Sequence, residues 1–489
     1  MSWIAEHWRV LALLAAYGVL LYRNGRVGRA RSSTVADYYV GGRSFGGVAI
    51  GISFFATYAS TNSFIGNSGK SWAYGLPWLL NLAFMVFFCL VSWWWVAPRM
   101  RAATQAVGAL TLPEWFGARF ADRRVRGAAA LIVVFASLLY MTAVFKGIGN
   151  LLEVFLGLPY GVVILLVLGV VVLYTAAGGF HSVVRTDVLQ GLLLAAGSIV
   201  LFLGVSDAAG GVTAILDVPS RPGAEHLFSL DAAMPFPVLL GILFAGSVKL
   251  VIEPRQLSRF FALRDTAAAR TGLAVAVLGV LVVLGLLLPI GLYARLILPA
   301  EAISDTDLVV PTLLSMDIFP AWIAALLVLA MVAAAMSSLD SVLLVAASTL
   351  QRDLLSLRAD SALAEATALS RTRGLVVGLC VLTAMLAWRP PGGIVELTIW
   401  SGSLYAACFL PQLLGGLFTK RGSGPVALAS MCSGLVVLLA WPLSPFEGRV
   451  HEVFPALATS LTVFAIGALR RAPAGAGSSG ASAGSAGDA

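Results

Sequence analysis

Residues 333–341 read AAAMSSLDS and lie inside an apolar stretch running from Ala321 to about Leu350. Three hydroxyls and a carboxylate therefore fall within five positions of a segment long enough to sit in lipid. A charge at mid-bilayer costs about 2.5–3.5 kcal/mol on the lenient insertion scale, so such residues face a cavity, a partner or an ion. On a helix, Ala334, Ser337, Ser338 and Ser341 stand at i, i+3, i+4 and i+7 and share one face. Several uncharged oxygens on one face suit a small hard cation. The competing use of the same pattern is close helix packing through small residues.

Two further stretches carry the same kind of chemistry. Residues 51–69, GISFFATYASTNSFIGNSG, crowd Thr57, Ser60, Thr61, Asn62 and Ser63 into mid-span and follow them with Gly66 and Gly69. Such sequence is tolerated at membrane depth where a helix is interrupted and lines a cavity, leaving carbonyls free for ions and solute. Residues 174–191, YTAAGGFHSVVRTDVLQG, end one span at Gly178 and Gly179 and place Asp187 about one turn into the next. An acid there is a functional candidate, with a salt bridge to Arg185 or a helix-start carboxylate as the structural alternative. Lys146 and Lys249, inside or at the ends of spans, are placed either to attract a carboxylate or to snorkel to an interface.

The elements that position these residues follow from composition. The chain has 489 residues, 59% hydrophobic and only 11% charged, with a mean hydropathy of +0.92. This is more apolar surface than a water-soluble domain buries, so the chain is read as an all-α polytopic membrane protein with membrane lipid as its solvent. Runs of about 20 apolar residues give thirteen expected spans. Their approximate limits are 5–22, 46–68, 74–98, 127–152, 158–178, 186–206, 234–253, 271–294, 320–350, 374–389, 393–417, 425–443 and 451–469.

Loop charge tests that count. With the N-terminus outside, most of the 32 basic residues fall in inner connections, among them Arg23 to Arg43, Arg99 to Arg126, Arg185, Arg255, Arg259, Arg264 and Arg270. The inner set continues with Arg352, Arg358, Arg371, Arg373, Lys420, Arg421, Arg470 and Arg471, while Asp207, Asp217, Asp231, Asp305, Asp307 and Asp317 gather outside. The reading is N-out and C-in in a plasma membrane of the bacterial inner type, with a disordered Ala/Gly/Ser tail over 472–489. The net charge of +8 is explained by these loops, so nucleic acid is not an expected partner. No CxxC pair is present among the four cysteines, which argues against a zinc site or a disulfide framework.

The combination resembles the sodium/solute symporter family. The carrying segments are DYYVGGRSFGG at 37–47, ATYASTNSFIGNSG at 56–69, LTLPEWFGARF at 110–120, YTAAGGFHSVVRTDVLQ at 174–190, AAAMSSLDSVLLVAASTLQRDLL at 333–355 and LPQLLGGLFTKRG at 410–422. They spread over most of the chain, and the wording TYASTNSFIG resembles the sodium/pantothenate and related organic-acid branch. The resemblance implies a leucine-transporter-type fold with two five-helix inverted repeats at 46–206 and 234–417. One helix with a basic loop precedes them (1–45), an external loop separates them (207–233), and two helices follow (418–471).

It also implies sodium as coupling ion, no other cofactor, and a small organic solute, a carboxylate among the choices. The family's sodium site maps to backbone carbonyls near Ala56 and Ala59, with Ala334, Ser337 and Ser338 opposite. Asp187, Asp340 and Ser341 map to a second cation or gating site. Some relatives have serine at both positions where this chain has Asp340 and Ser341. Thr57, Tyr58, Asn62 and Ser63 are the first expected solute contacts, with Lys146 and Lys249 added for a carboxylate. Sugar-transporting relatives have glutamine where Ser63 stands, and proline-transporting relatives have aspartate where Tyr58 stands; both departures argue against those solutes.

Other classes read less well. A proton-coupled carrier would titrate Asp187 or Asp340. A channel would line a continuous pore rather than cluster its polar residues. An intramembrane enzyme would pair a histidine with a nucleophile or metal cluster, whereas His7, His181, His226 and His451 sit near span ends. Nothing in the pattern specifies an oligomeric state.

Overall fold

The computed structural model describes residues 2–230, 234–299, 301, 303–356 and 365–470. The expected tail 472–489 and the loop charges Asp231, Arg358 and Arg471 lie outside the described residues. Among those described, eleven helices are long and apolar enough to cross a membrane, and a bent pair, Gly47–Tyr58 with Asn62–Tyr74, makes a twelfth span. The remaining expected span, 158–178, contains the shorter apolar helix Tyr160–Val172.

The helices that build the centre are α1 (Ser2–Ala30), α2 (Gly47–Tyr58), α3 (Asn67–Tyr74), α4 (Leu80–Val91), α5 (Arg123–Leu156) and α6 (Tyr160–Ala208). They are followed by α7 (Phe236–Ile252), α8 (Pro254–Ala262), α9 (Ala268–Leu287), α10 (Ala321–Thr349) and α11 (Glu365–Ala387). The chain closes with α12 (Ile394–Phe418), α13 (Gly424–Ala440) and α14 (Val453–Arg470). Helix α6 joins two expected spans through a kink at Gly179, whose φ of +60° is a left-handed conformation that only glycine adopts freely.

Two breaks interrupt the helices at the centre. The first lies between α2 and α3, where the helix bends by 55°. Ala59 takes extended backbone (φ −74°, ψ 94°), and the Ser60 hydroxyl then accepts from the Asn62 amide at 3.1 Å, restarting the helix through a π turn over Asn62–Gly66. The ASTN sequence thus ends one helix and caps the next, because serine satisfies amides that have no helical carbonyl. The second break lies between α7 and α8. Pro254 forces its predecessor out of the helical region, and Glu253 is extended (φ −69°, ψ 129°) while Pro254 opens α8.

This second break corrects the span expected at 234–253, since apolar helix continues to Ala262. Arg255 and Arg259, read above as inner-loop charges, are 1% exposed inside the protein. The ring of Trp93, 1% exposed, meets both Phe54 of α2 (5.3 Å) and Phe260 of α8 (5.1 Å), which also stack on each other at 5.5 Å, so the two broken helices are packed through a three-ring aromatic cluster. The ends at Arg43, Arg101 and Arg264 cluster on one face of the molecule, hereafter the basic face: Arg43 donates to the carbonyls of Thr104 and Ala109, and Arg101 to those of Leu263 and Arg264.

A candidate cation and solute site at the two helix breaks

The hydroxyl face of α10 meets the first break. Ser337 Oγ donates to the carbonyl of Ala56 at 2.9 Å and to its own helix at Ala334 O, 2.8 Å. Ser338 Oγ donates to Thr57 O at 2.8 Å. Ala56, Thr57, Ala334, Ser337 and Ser338 are all fully buried. Three carbonyls and two hydroxyls therefore converge at a point where α2 is about to stop. A hydroxyl that rotates its proton away offers a lone pair beside the carbonyl it had faced, so the five oxygens form a cage suited to a small hard cation. Ala59 lies at the break itself, and the serine hydroxyls meet the carbonyls of Ala56 and Thr57 rather than its own.

Asp187 sits one layer away, and its partner is Arg259 rather than the exposed Arg185. Arg259 Nη2 donates to Asp187 Oδ2 at 2.9 Å, to Thr57 Oγ1 at 2.7 Å and to Ser341 Oγ at 2.5 Å. Ser53 and Thr57 hydroxyls also donate to the same carboxylate oxygen. At the expected second cation or gating site, the positive charge between Asp187 and Ser341 is the chain's own guanidinium. Asp340 does not join them. One residue along α10 turns its side chain about 100° away, and its carboxylate accepts from Thr175 Oγ1 of α6 at 2.6 Å.

The expected solute contacts separate into groups. Thr57 turns its hydroxyl to Asp187 and Arg259. The Tyr58 hydroxyl donates to Gly246 O of α7 at 3.2 Å, tying the end of α2 to the middle of α7. Ser63 Oγ and Asn62 Oδ1 are buried atoms with no hydrogen-bond partner among the described residues. Lys249, 2% exposed, donates to Thr398 O of α12 at 3.1 Å and lies 5.4 Å from the ring centre of Tyr140. Arg255 stacks on the same ring at 3.8 Å, pairs with Glu253 at 2.8 Å and donates to Thr57 O.

Lys146 is the exception. It neither snorkels nor joins Lys249: its ammonium binds Asp305 at 3.1 Å and Asp307 at 2.7 Å in the loop ahead of α10, and Asp307 also accepts from the Ile394 amide that opens α12. Lys70 and Glu396 pair on that same side of the breaks. On the basic face, Arg352 holds Glu114 through two bonds of 2.8 and 2.9 Å, and Arg126 holds Asp353 at 2.7 Å. The two breaks thus lie between polar networks that bridge α3, α5 and α12 on one side and α5 and the π turn Leu350–Leu355 after α10 on the other. Glu253, Arg255, Arg259 and Tyr140 are site residues that sequence reasoning missed. The available signal was Pro254, followed by arginines at i and i+4 in apolar surroundings.

Comparison with known proteins decides the class. Residues 38–434 match the sodium:solute symporter family. The chain belongs to that family. The symporter is 29% identical to the sodium/pantothenate symporter of Escherichia coli K12, over 94% of this chain and 95% of the relative. It is 28% identical to the high-affinity proline transporter of Bacillus subtilis, over 91% of this chain and 94% of that one. A solved Na+-coupled sialic acid symporter superposes with a TM-score of 0.81 at 20% identity, covering 95% and 98% of the two chains. A nucleobase-cation-symport-1 transporter superposes at 0.58 and 14% identity. The fold is therefore the leucine-transporter type, the chain is an integral membrane protein, and its activity class is Na+-coupled symport of an organic solute.

Proposed function

We propose that this symporter takes up a small organic carboxylate across the plasma membrane, driven by Na+ held between α2 and α10. The observation that carries the reading is the pair of hydroxyls, Ser337 and Ser338, on the carbonyls of Ala56 and Thr57 beside the helix break. In this account, Na+ draws those carbonyls and hydroxyls together and fixes the end of α2, whose last residue, Tyr58, reaches α7 at Gly246. A site for the solute at Tyr58, Ser63 and Lys249 then shares a helix with the cation site, so each ligand raises affinity for the other by the same factor.

Two further elements complete the account. Arginine concentrated near Arg43, Arg101 and Arg126, against Asp305, Asp307 and Glu396 near the other side, supports a cytoplasmic basic face and an external N-terminus. The division into inverted repeats at 46–206 and 234–417 is supported by a break in the first helix of each. The pantothenate relatives favour a carboxylate as solute.

The test is uptake of labelled small carboxylates, sugars and amino acids into proteoliposomes, with and without an inward Na+ gradient, for wild type and Ser337→Ala/Ser338→Ala. Na+-driven carboxylate uptake that the double variant loses is expected. Uptake driven equally by a pH gradient in Na+-free buffer would instead support proton coupling through Asp187 or Asp340, and would overturn this reading.

A further inference from the structure

Charge at the second break does not balance. Lys249, Glu253 and Arg255 are 2%, 3% and 1% exposed and comprise two cations and one carboxylate. Glu253 Oε1 pairs with Arg255 at 2.8 Å and its Oε2 is buried without a hydrogen-bond partner among the described residues, so one carboxylate serves two cations. The neighbouring Arg259 and Asp187 cancel each other. Lys249 thus retains a buried positive charge with no carboxylate paired to it among the described residues. An isolated ammonium in a low-dielectric interior is costly unless paired. Of its three protons, one reaches the Thr398 carbonyl. Its position is enforced from below: a Cβ on Gly402 would lie 2.1 Å from Ala245 O and 3.3 Å from Lys249 Cδ, so α12 packs directly on the lysine stem.

The surroundings are those of a receptor for a polar anion. Both cations lie against the ring of Tyr140, and its hydroxyl is a buried atom without a hydrogen-bond partner among the described residues. Ser401 lies one turn from Thr398 on α12 and is fully buried, and its Oγ also lacks a partner. A cation arriving at Ala56, Ser337 and Ser338 would add a second uncompensated positive charge nearby.

We propose that Lys249 is the receptor for a carboxylate on the solute, and that the solute is bound as an anion whose charge completes the balance. The proposal rests on the Na+-symport reading above and adds which charge the solute carries and which atom receives it. The ammonium donates its remaining protons to the carboxylate, Tyr140 and Ser401 bind hydroxyl or amide groups further along the solute, and Na+ strengthens anion binding by direct attraction. One Na+ and one monoanion then cross together with no net charge added to the loaded protein.

The experiment measures thermal stabilisation of the purified full-length protein in saturating Na+ by matched pairs of probes. Each pair is a small carboxylate and its neutral isostere: pantothenate with its hydroxymethyl analogue, lactate with propanediol, butyrate with butanol; proline serves as a zwitterion. Wild type is expected to bind at least one carboxylate about tenfold or more tighter than its isostere. Lys249→Met removes that preference and Lys249→Arg retains part of it. A wild type that prefers no carboxylate over its isostere overturns the proposal, as does a Lys249→Met protein that keeps the preference. Stabilisation by Na+ alone is recorded for each variant. Its retention in Lys249→Met shows a folded protein with a working cation site. Its absence in wild type would defeat the symport reading itself, a failure distinct from loss of anion preference.

Discussion

The pair of Arg259 and Asp187 offers the most quantitative test of how the centre is held. At 2.9 Å the attraction of the two charges is about 6 kcal/mol in an effective dielectric of about 20. Desolvation of two ions that are 1% and 0% exposed offsets most of it, so the intact pair contributes little net stability. Removing one partner is different, because the other is stranded. Arg259→Met leaves Asp187 with only the hydroxyls of Ser53 and Thr57, and Asp187→Asn leaves the guanidinium with uncharged acceptors alone: the hydroxyls of Ser53, Thr57, Ser258 and Ser341 and the Arg255 carbonyl. Each single change is expected to cost about 3 kcal/mol, the low end for a broken buried pair because hydroxyls remain. Asp187→Asn/Arg259→Met, in which no charge is stranded, should cost clearly less than the two singles together, with a coupling of about 2 kcal/mol or more. Unfolding titrations in detergent, followed by tryptophan fluorescence, measure all three. Strictly additive losses would refute the assignment of these residues as a charge pair.

Other consequences concern transport. Because Arg259 supplies the cation between Asp187 and Ser341, Na+ activation of uptake should be hyperbolic in wild type; a sigmoidal curve would indicate a second Na+. Gly402→Ala, whose Cβ would approach Ala245 O to 2.1 Å, should push α12 from α7 and lower solute affinity by about tenfold or more while changing Na+ affinity little, as separate binding titrations would show. Lys146→Met strands Asp307, a residue 1% exposed, and should destabilise the loop ahead of α10 by about 3 kcal/mol, read as faster hydrogen exchange at Asp305 to Leu308.

Much of this organisation was legible in residue order, for identifiable reasons. AAAMSSLDS marked α10 because Ser337, Ser338 and Ser341 put three hydroxyls on one face of an apolar helix beside Ala334, and Ser337 and Ser338 do meet the carbonyls of the interrupted segment. That interruption was itself readable, since Ser60, Thr61 and Asn62 compete with helical hydrogen bonds. The second break was missed although Pro254 announced it, because an apolar run ending in arginines also looks like a span reaching an inner loop. Arg255 and Arg259 are buried by partners far along the chain: Tyr140, Thr57, Asp187 and Ser341. No local pattern names such partners. Lys146 misled for the same reason, its acids lying about 160 residues away in a loop. Asp340 and Ser341, adjacent in sequence, face different helices, which helical periodicity does specify once the direction of Ser337 is known.

The account stands on Na+ being held by the oxygens between α2 and α10, and equilibrium binding of 22Na+ to the purified protein tests this most directly. Wild type should bind the isotope saturably, and Ser337→Ala/Ser338→Ala, which deletes two of the five oxygens, should weaken binding about tenfold or more while the protein stays folded. Unchanged 22Na+ affinity in the double variant would contradict it, leaving the serines as packing and the cation somewhere else in the molecule.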